Sequence, residues 1–546
     1  MKLTFAVFTD LHSDGTPQQE AILRRAFRRL NDCCPEGIDA LLMAGDYSFT
    51  GSEPEAIRFR DLLTSFVDPD RTVIVPACGN HDTCWKGCMK ADGWNAVWAP
   101  VLRGLAPDSD GEHGNWHAVV GGYHFLTLEP YTYSPNLYTE ETAAWLKTTM
   151  DKLTAENPEQ YVFIATHGPA EGSGVYGADK ALDGFTATWG WSPTLYDMLR
   201  NYPQAVLFTG HTHFPLNHER SIMQKDFTAV NAAALTGTCT LWPTEEAGWI
   251  NPNVPHGSSQ GLLVTVEDGA LTMERLEFGE DAGDLLIGRW ILPRPTGTRA
   301  HLKVYSPARD PQEAPVFTDR AVAITEVARG WYRIAHKAPR CGAPLHAYHY
   351  TAGDTAFSLF AEGKEVDFTA AVTLPKPPFT LSVVAEDIWG NRSEPMTATV
   401  ATIGSDLPSV APAALPQAVT EGALGGLIIP LELPCDVQKC PKVDVLLYSG
   451  DEPEGYSGET CALLRLDLEG GRLIGFPHDG GVVIARSPKL TAEQLPTAVL
   501  RVVRDEDGFY AAYVDTPQGT VGGKLSNFFF WSKGIFDLSH VKTAVR

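Results

Sequence analysis

Apolar runs of strand length and amphipathic helical segments alternate over the first half of the chain. Strand-like runs such as KLTFAVFTD, IDALLMAGD and TVIVPACGN are separated by the helical patterns PQQEAILRRAFRRLND and EPEAIRFRDLLTSF. The order continues with the runs GYHFLTLEP and QYVFIATHG around the helical pattern TEETAAWLKTTMDKL. Strands that alternate with helices of this length predict a layered α/β domain. Two last runs around an Asp-Gly pair, in GLLVTVEDGALTMERLEF, predict a hairpin.

The pattern becomes β-rich after the segment ILPRPTG, where the helical periodicity ends. Short runs such as HAYHYTA and FTLSVVAEDIWGNRSEP alternate with turn residues, which is typical of a β-sandwich. We therefore predict an α/β domain over residues 1–290 and an immunoglobulin- or fibronectin type III-like β-sandwich over 301–403. The Pro- and Ala-rich residues 404–416 predict a semi-rigid linker, and residues 417–546 predict a second β-rich domain.

Composition and charge narrow the classes of partner. The chain of 546 residues has a formal net charge of -24. Nucleic-acid backbones and anionic membranes attract clustered Lys and Arg, so neither is an expected partner. A small anionic substrate remains compatible, because a bound metal ion reverses the local field. We expect a cytoplasmic protein, since the sequence has no signal-peptide pattern, no apolar run of membrane-spanning length and no disulfide framework.

Side chains that bind metals follow five of the predicted strands. In chain order the strand ends carry Asp10 and His12, then Asp46, then Asn80, His81 and Asp82, then His167, and finally His211 and His213. A single histidine in such a place is more often a core or solvated residue. Five such endings, at the sheet edge where α/β proteins bind ligands, are difficult to assign to packing.

The number of donors indicates the kind of site. Four histidines, two aspartates and one asparagine are too many ligands for one tetrahedral ion. They suit two divalent ions if one aspartate bridges, which is the arrangement used for displacement at phosphorus. Imidazole together with carboxylate favours Zn, Fe, Mn or Ni over Mg or Ca.

These blocks resemble the calcineurin-like metallophosphoesterase superfamily in content and in order. The matching segments are DLH, GD, GNHD, THG and GHTH, which contain the site residues named above. The resemblance implies a layered metallophosphoesterase sandwich, here followed by two β-rich accessory domains. It implies two metal ions, one held by Asp10, His12 and His213, the other by Asn80, His167 and His211, with Asp46 bridging both. It also implies that His81 is the catalytic histidine and that Asp82 orients it.

The resemblance implies that a small phosphate ester is hydrolysed by a hydroxide that bridges the two metals. DLH at the start and GHTH at the end are most similar to the cyclic-nucleotide phosphodiesterase branch, so a phosphodiesterase is the first expectation. Branches that act on phosphomonoesters share the same ligands, so a phosphatase is the alternative. A non-catalytic binding scaffold is the alternative from a different class of function.

Residues around the motifs leave further alternatives open. Tyr47, Trp85 and Trp94 are expected either to line a substrate pocket or to pack in the core. His117 and His124 are expected to be structural. The C-terminal β-domains are expected either to bind a carbohydrate or protein partner through exposed aromatics such as NFFFW, or to shape the active site of the first domain.

Overall fold

The computed structural model divides the chain into two compact units. Unit 1 comprises Met1–Leu241 and Gly257–Pro311, and unit 2 comprises Trp242–His256 and Gln312–Arg546. The structure describes residues 2–13, 17–48, 51–82, 98–102, 115–128, 138–176, 178, 193–236, 249–250, 259–279, 285–328, 331–360, 366–370, 374–375, 377–405, 426–430, 442–448, 461–467, 472–476, 482–486, 499–504, 510–516, 519–524 and 540–545.

The first half of the chain alternates strands with helices, as the sequence predicts. The described strands are β1 (Lys2–Phe8), β2 (Ala40–Met43), β3 (Val73–Pro76), β4 (Trp116–Val120), β5 (Tyr123–Thr127), β6 (Val162–Ala165), β7 (Ala205–Thr209), β8 (Ile222–Gln224), β9 (Thr228–Asn231), β10 (Trp249–Ile250, in unit 2), β11 (Gln260–Glu267), β12 (Ala270–Glu277) and β13 (Leu286–Leu292). The described α-helices are α1 (Pro17–Cys33), α2 (Glu53–Thr64), α3 (Ala99–Leu102), α4 (Glu140–Glu156) and α5 (Pro193–Leu199).

The strands of unit 1 form two sheets of six strands each. One sheet has the order β13-β12-β11-β1-β2-β3, and the other has the order β4-β5-β6-β7-β9-β8. Strands β1, β2 and β3 are parallel, and so are β5, β6, β7 and β9. Because parallel neighbours end at the same edge, the loops after β1, β2 and β3 leave the first sheet together, and those after β6 and β7 leave the second.

Strand β1 is buried on both faces, which explains its nearly continuous apolar sequence. Leu3, Phe5 and Val7 belong to the core between the two sheets, whereas Ala6 and Phe8 belong to the core beneath the helices. Phe5 contacts aromatic rings from the second sheet, with ring centroids 5.1 Å from Phe125, 4.7 Å from Phe163 and 6.2 Å from Phe208. These contacts pack the sheets face to face.

Helices α1 and α2 cover the outer face of the first sheet. In α1, Leu23, Phe27 and Leu30 share one face of the helix and are buried, and Phe27 packs against Phe8 of β1. Ser52 and Glu55 form a capping box at the start of α2, as expected for the segment SEPE. The apolar faces predicted from the sequence are therefore the faces that pack against the first sheet.

Unit 2 begins with two facing β-sheets. Its first strands are β14 (Val322–Ala328), β15 (Trp331–His336), β16 (Leu345–Ala352), β17 (Thr355–Phe360), β18 (Val366–Ala370), β19 (Phe379–Asp387), β20 (Met396–Val400) and β21 (Gly404–Ser405). One sheet has the order β10-β17-β16-β19-β20, and the other has the order β18-β15-β14-β21. One core cluster contains residues from both sheets, including Ile334 of β15 and Tyr348 of β16, as in a β-sandwich.

The remainder of unit 2 is described only as strands. These are β22 (Gly426–Pro430), β23 (Lys442–Tyr448), β24 (Cys461–Asp467), β25 (Arg472–Phe476), β26 (Val482–Arg486), β27 (Val499–Arg504), β28 (Tyr510–Thr516), β29 (Gly519–Lys524) and β30 (His540–Val545). They form sheets of order β22-β27-β28-β29 and β26-β25-β24-β23-β30.

The predicted fold class is confirmed: a layered α/β sandwich precedes β-rich sheets along the chain. The predicted domain limits remain predictions, and the contacts of unit 1 continue to Pro311. The tail after β13 bonds to unit 1, because Tyr161 donates its hydroxyl proton to the Pro293 carbonyl and Gln224 donates its backbone N–H to the Tyr305 carbonyl at 3.0 Å. Among the described helices, none has the length and apolar character needed to cross a bilayer.

Replacement of Phe5 by alanine tests the packing between the sheets. Phe5 is fully buried, so Phe5→Ala should lower the free energy of unfolding of unit 1 by about 3–5 kcal/mol, because it removes apolar area and leaves a cavity. The measurement is urea unfolding of the full-length protein. Val119→Ala, at a residue 58% exposed on β4, is the matched control and should change little. Equal losses in the two variants would contradict the packing assigned to Phe5.

Candidate metal centre

The edge where the parallel strands of unit 1 end brings the predicted site residues together. Asp10 and His12 follow β1, Asp46 follows β2, and Asn80 and His81 follow β3. The second sheet contributes His167 after β6, and His211 with His213 after β7. The site therefore draws on the ends of two facing sheets. All seven predicted metal ligands, together with His81 and Asp82, lie among the described residues.

Asp10, His12 and His213 form the first group of side chains that could hold a metal ion. The Oδ1 atom of Asp10 lies 3.0 Å from Nε2 of His213 and 3.7 Å from Nε2 of His12. The two Nε2 atoms lie 3.1 Å apart. All three residues are buried, so one carboxylate oxygen and two imidazole nitrogens converge away from bulk water.

Asp46, His167 and His211 form a second such group. The Oδ2 atom of Asp46 lies 3.0 Å from Nε2 of His167, and Nδ1 of His211 lies 3.3 Å from the same nitrogen. Asn80 joins this group, because its Oδ1 atom lies 3.0 Å from Nδ1 of His211. The same Asp46 oxygen lies 3.8 Å from Nε2 of His12 in the first group. Asp46 Oδ2 therefore faces both groups.

His81 lies beside the Asp46 carboxylate. Its backbone N–H donates to Oδ1 of Asp46 at 2.8 Å, and its ring centroid is 4.6 Å from that of His12. The His81 ring also forms a third candidate metal-binding group with His12 and Asp46. The geometry thus allows two roles for this imidazole, as a ligand or as an acid–base group next to the ligands.

The two oxygens of the Asp10 carboxylate have different surroundings. Its Oδ2 atom accepts from the Thr9 hydroxyl at 2.7 Å and from the His211 backbone N–H at 2.9 Å. Its Oδ1 atom is buried and faces imidazole nitrogens, 3.0 Å from Nε2 of His213 and 3.7 Å from Nε2 of His12. A buried carboxylate oxygen with two imidazole nitrogens nearby is suited to a divalent cation. The residues present therefore fit a metal centre.

Asp82 connects the loops after β2 and β3. Its carboxylate accepts backbone N–H bonds from Asp46 at 2.8 Å, Tyr47 at 2.9 Å, Ser48 at 3.2 Å and Gly79 at 3.0 Å. Burial, followed by the Asp46 charge, raises the pKa of Asp82 to about 8 against these backbone donors. The described bonds of Asp82 thus hold the backbone that carries Asp46, and its expected orientation of His81 stays a prediction.

Five of the site residues have a backbone conformation that L-amino acids rarely adopt. The φ angles of Asp10, His12, Asp46, His211 and His213 are +51°, +44°, +55°, +70° and +55°. Each such residue costs about 1–3 kcal/mol, and clusters of this kind mark functional sites. A Cβ atom at Gly210 would overlap the Thr9 hydroxyl and the Asp10 carboxylate, so this position of the GHTH block requires glycine.

Electrostatic interactions set different protonation states for the buried histidines. Burial lowers the pKa of His12 to about 4 and that of His211 to about 3. Burial also disfavours the charged form of His167, but the Asp46 and Asp10 carboxylates together raise its pKa to about 10. Burial alone would raise the pKa of Asp10 and of Asp46, yet neighbouring histidines hold both below their usual range.

The structure decides whether Tyr47 lines a substrate pocket or packs in the core. This side chain is fully buried, stacks on Phe59 with ring centroids 5.5 Å apart and contacts Trp98 at 5.3 Å. Tyr47 therefore belongs to the core.

Trp85 and Trp94 lie outside the described residues. His117 and His124 contact each other on the β4–β5 hairpin, with Nε2 and Nδ1 2.9 Å apart.

Sequence comparison agrees with this geometry. Residues 3–215 match the family model described as calcineurin-like phosphoesterase. These residues are a calcineurin-like phosphoesterase domain. The family depends on two metals and hydrolyses phosphate esters, so the chain contains a metal-dependent phosphoesterase whose metals are not identified by the family match. No curated protein matches the chain in sequence.

Solved structures similar to the phosphoesterase domain include a purple acid phosphatase from yellow lupin seeds. It has 14% identity and a TM-score of 0.36, and 54% of each chain is covered. A 5'-nucleotidase from Candida albicans has 11% identity and a TM-score of 0.28, covering 51% of this chain and 52% of its own. An uncharacterised predicted phosphoesterase from Streptococcus pneumoniae has 11% identity and a TM-score of 0.24, covering 53% and 98%.

Metal binding at the phosphoesterase site should depend on pH. With its pKa raised to about 10, His167 carries a proton at neutral pH until a metal displaces it. The apparent affinity for Mn²⁺ should therefore rise with pH, by up to about tenfold per unit between about pH 6 and 8. Calorimetry in two buffers of different ionisation enthalpy measures the protons released.

The variant His167→Gln is the control for this measurement. Glutamine has no proton to lose, so the release assigned to His167 should disappear in that variant. Affinity that does not change with pH in the unsubstituted protein would contradict the raised pKa of His167.

Proposed function

We propose that the chain is a binuclear metal-dependent phosphodiesterase acting on small phosphate esters. The observation that carries the proposal is the convergence of two ligand groups on Asp46, whose Oδ2 atom lies 3.0 Å from His167 and 3.8 Å from His12. In this proposal Asp10, His12 and His213 hold one ion, Asn80, His167 and His211 hold the other, and Asp46 bridges them. Such paired sites stabilise both the attacking and the leaving oxygen of an in-line displacement.

The bound ions would supply Lewis acidity, which lowers the pKa of water and neutralises charge on a phosphoryl group. The protein supplies the remaining components. Thr9 and the His211 backbone fix the Asp10 carboxylate, and the His81 backbone fixes one oxygen of Asp46. The ligands are therefore oriented before substrate binds, which reduces the reorganisation needed during the reaction.

His81 is proposed as the group that protonates the leaving oxygen. An alkoxide leaving group needs a proton, and histidine is the side chain that most often transfers one in enzymes. The His81 ring is nearly buried and lies beside His12 and Asp46, so it is next to the place where a phosphoryl group would be held. Its backbone bond to Asp46 ties its position to the metal-binding carboxylate.

Preference for diesters rests on the resemblance of the DLH and GHTH blocks to the cyclic-nucleotide phosphodiesterase branch. The expected carbohydrate or protein partner of the β-rich regions stays a prediction, because the segment NFFFW lies outside the described residues.

Metal content and hydrolysis of a matched substrate pair test the proposal. The purified full-length protein should contain about two metals per chain and hydrolyse bis(p-nitrophenyl) phosphate faster than p-nitrophenyl phosphate, with and without added Mn²⁺. Asp46→Asn should lose metal and reduce kcat/KM by at least about 100-fold, because the proposed bridge loses its charge. Asp226→Asn, at a carboxylate that bonds Tyr196 and Arg299, is the control.

Other results would favour a different function. Preference for the monoester would favour a phosphatase. A protein that takes up no metal and stays inactive with Mn²⁺ would favour the scaffold. Near-normal activity of Asp46→Asn would refute the two-metal model.

The variant His81→Ala separates the two roles that the geometry allows for His81. As an acid it should leave metal content unchanged and reduce kcat by about 10²–10⁴-fold for substrates with poor leaving groups, with less effect on p-nitrophenyl esters. Elemental analysis and kcat for both substrate types are measured together. His301→Ala, at a buried histidine bonded to the Thr298 and Pro203 carbonyls, is the control. Loss of metal in His81→Ala would make His81 a ligand.

A further inference from the structure

The loop after β7 is hydrogen-bonded to an asparagine that lies outside the motifs DLH, GD, GNHD, THG and GHTH. Asn231 is the last residue of β9, pairs in register with Thr209 of β7, and is 1% exposed. Its amide nitrogen donates to the Thr212 hydroxyl at 3.0 Å and to the Phe214 carbonyl at 3.4 Å. Its amide oxygen accepts from the Ala233 backbone N–H at 3.1 Å. Both ends of the amide are therefore engaged, by one side-chain hydroxyl and two backbone groups.

The two hydrogen bonds that Asn231 donates end at the residues on either side of His213. Thr212 precedes it and Phe214 follows it, so one amide group holds the residues on both sides of this histidine. His213 has a φ of +55°, and its Nε2 atom lies 3.0 Å from Asp10 and 3.1 Å from His12. A strained backbone conformation persists only where the surroundings enforce it. The Asn231 amide is positioned to keep His213 in this conformation.

We propose that Asn231 is a positioning residue that holds His213, through Thr212 and Phe214, in its place beside Asp10 and His12. The inference rests on the proposed function, because it takes His213 as a ligand of the first metal. The side chain of Asn231 bonds to Thr212, Phe214 and Ala233, so it acts on the residues on either side of His213. Its influence should accordingly be confined to the Asp10–His12–His213 group, leaving the Asp46–His167–His211 group intact.

Loss of this amide should weaken one metal site. In full-length Asn231→Ala, titration with Mn²⁺ should give one site with affinity reduced by about 10–100-fold and a second site unchanged. Thr212→Val, which keeps the shape but removes the acceptor, should have the same effect, whereas Thr212→Ser keeps the hydroxyl and should bind like the unsubstituted protein. The double variant Asn231→Ala/Thr212→Val should be little worse than Asn231→Ala alone, because Asn231→Ala already removes the bond that the Thr212 hydroxyl accepts from the Asn231 amide.

A matched control lies on the same strand. The Gln224 amide donates to the Thr228 hydroxyl at 3.2 Å, at the other end of β9 and away from the site. Thr228→Val removes a comparable buried amide–threonine bond. It should change thermal stability about as much as Thr212→Val while leaving both metal affinities unaltered. A decrease in metal affinity that appears equally in Thr228→Val would show a general structural effect and overturn the inference.

The outcomes for Asn231 and for the metal centre are distinguishable. If the unsubstituted protein binds two metals and Asn231→Ala binds both equally well, the inference is wrong and the proposed function stands. If the unsubstituted protein binds none, the proposed function fails. Crystal structures with and without the Asn231→Ala change then decide the inference: His213 should leave the left-handed region and separate from Asp10, and an unchanged His213 would overturn it.

Discussion

The crowding of carboxylates and imidazoles at the joined edge of two sheets is the constraint on which the rest of unit 1 depends. Asp10 and Asp46 are buried beside five histidines, and such groups are stable away from water only when charges and hydrogen bonds compensate one another. Five of the residues also adopt left-handed backbone conformations. The packed sheets, fixed by rings such as Phe5 and Phe163, supply the rigidity that tolerates this strain.

Residues outside the set of candidate ligands fix the positions of those ligands through hydrogen bonds. Thr9 aims one oxygen of Asp10, and Asp82 gathers the backbone N–H groups around Asp46. Thr236 donates its hydroxyl to the Asp10 carbonyl at 3.1 Å, which fixes the loop after β1 from the side of β9. Each ligand-bearing loop is thus bonded to a neighbouring loop. These bonds fix the position of each loop relative to its neighbour.

Sequence alone predicts which side chains come together at the candidate centre and misses groups, such as Asn231, that bond to their loops. Asp10, Asp46 and His211 could be predicted because metal-binding residue types follow strand-like runs, and the ends of parallel strands share an edge. Asn231 follows an equally strand-like run, but asparagine at a strand end is ordinary, and its role depends on the register between β7 and β9. Tyr47 was ambiguous for a similar reason, since only the packed structure places its ring against Phe59 and Trp98.

The overall charge of the chain and the chemistry of its centre act over different distances. A net charge of -24 repels an anionic ester at long range, but salt screens exposed charges beyond about 8 Å under physiological conditions. Inside the proposed centre, bound cations would act on a phosphoryl group at close range and with little intervening water. In the proposed centre, the phosphate would therefore be recognised through the local arrangement of Asp10, Asp46 and their histidines, and the negative net charge of the chain would affect mainly the rate of encounter.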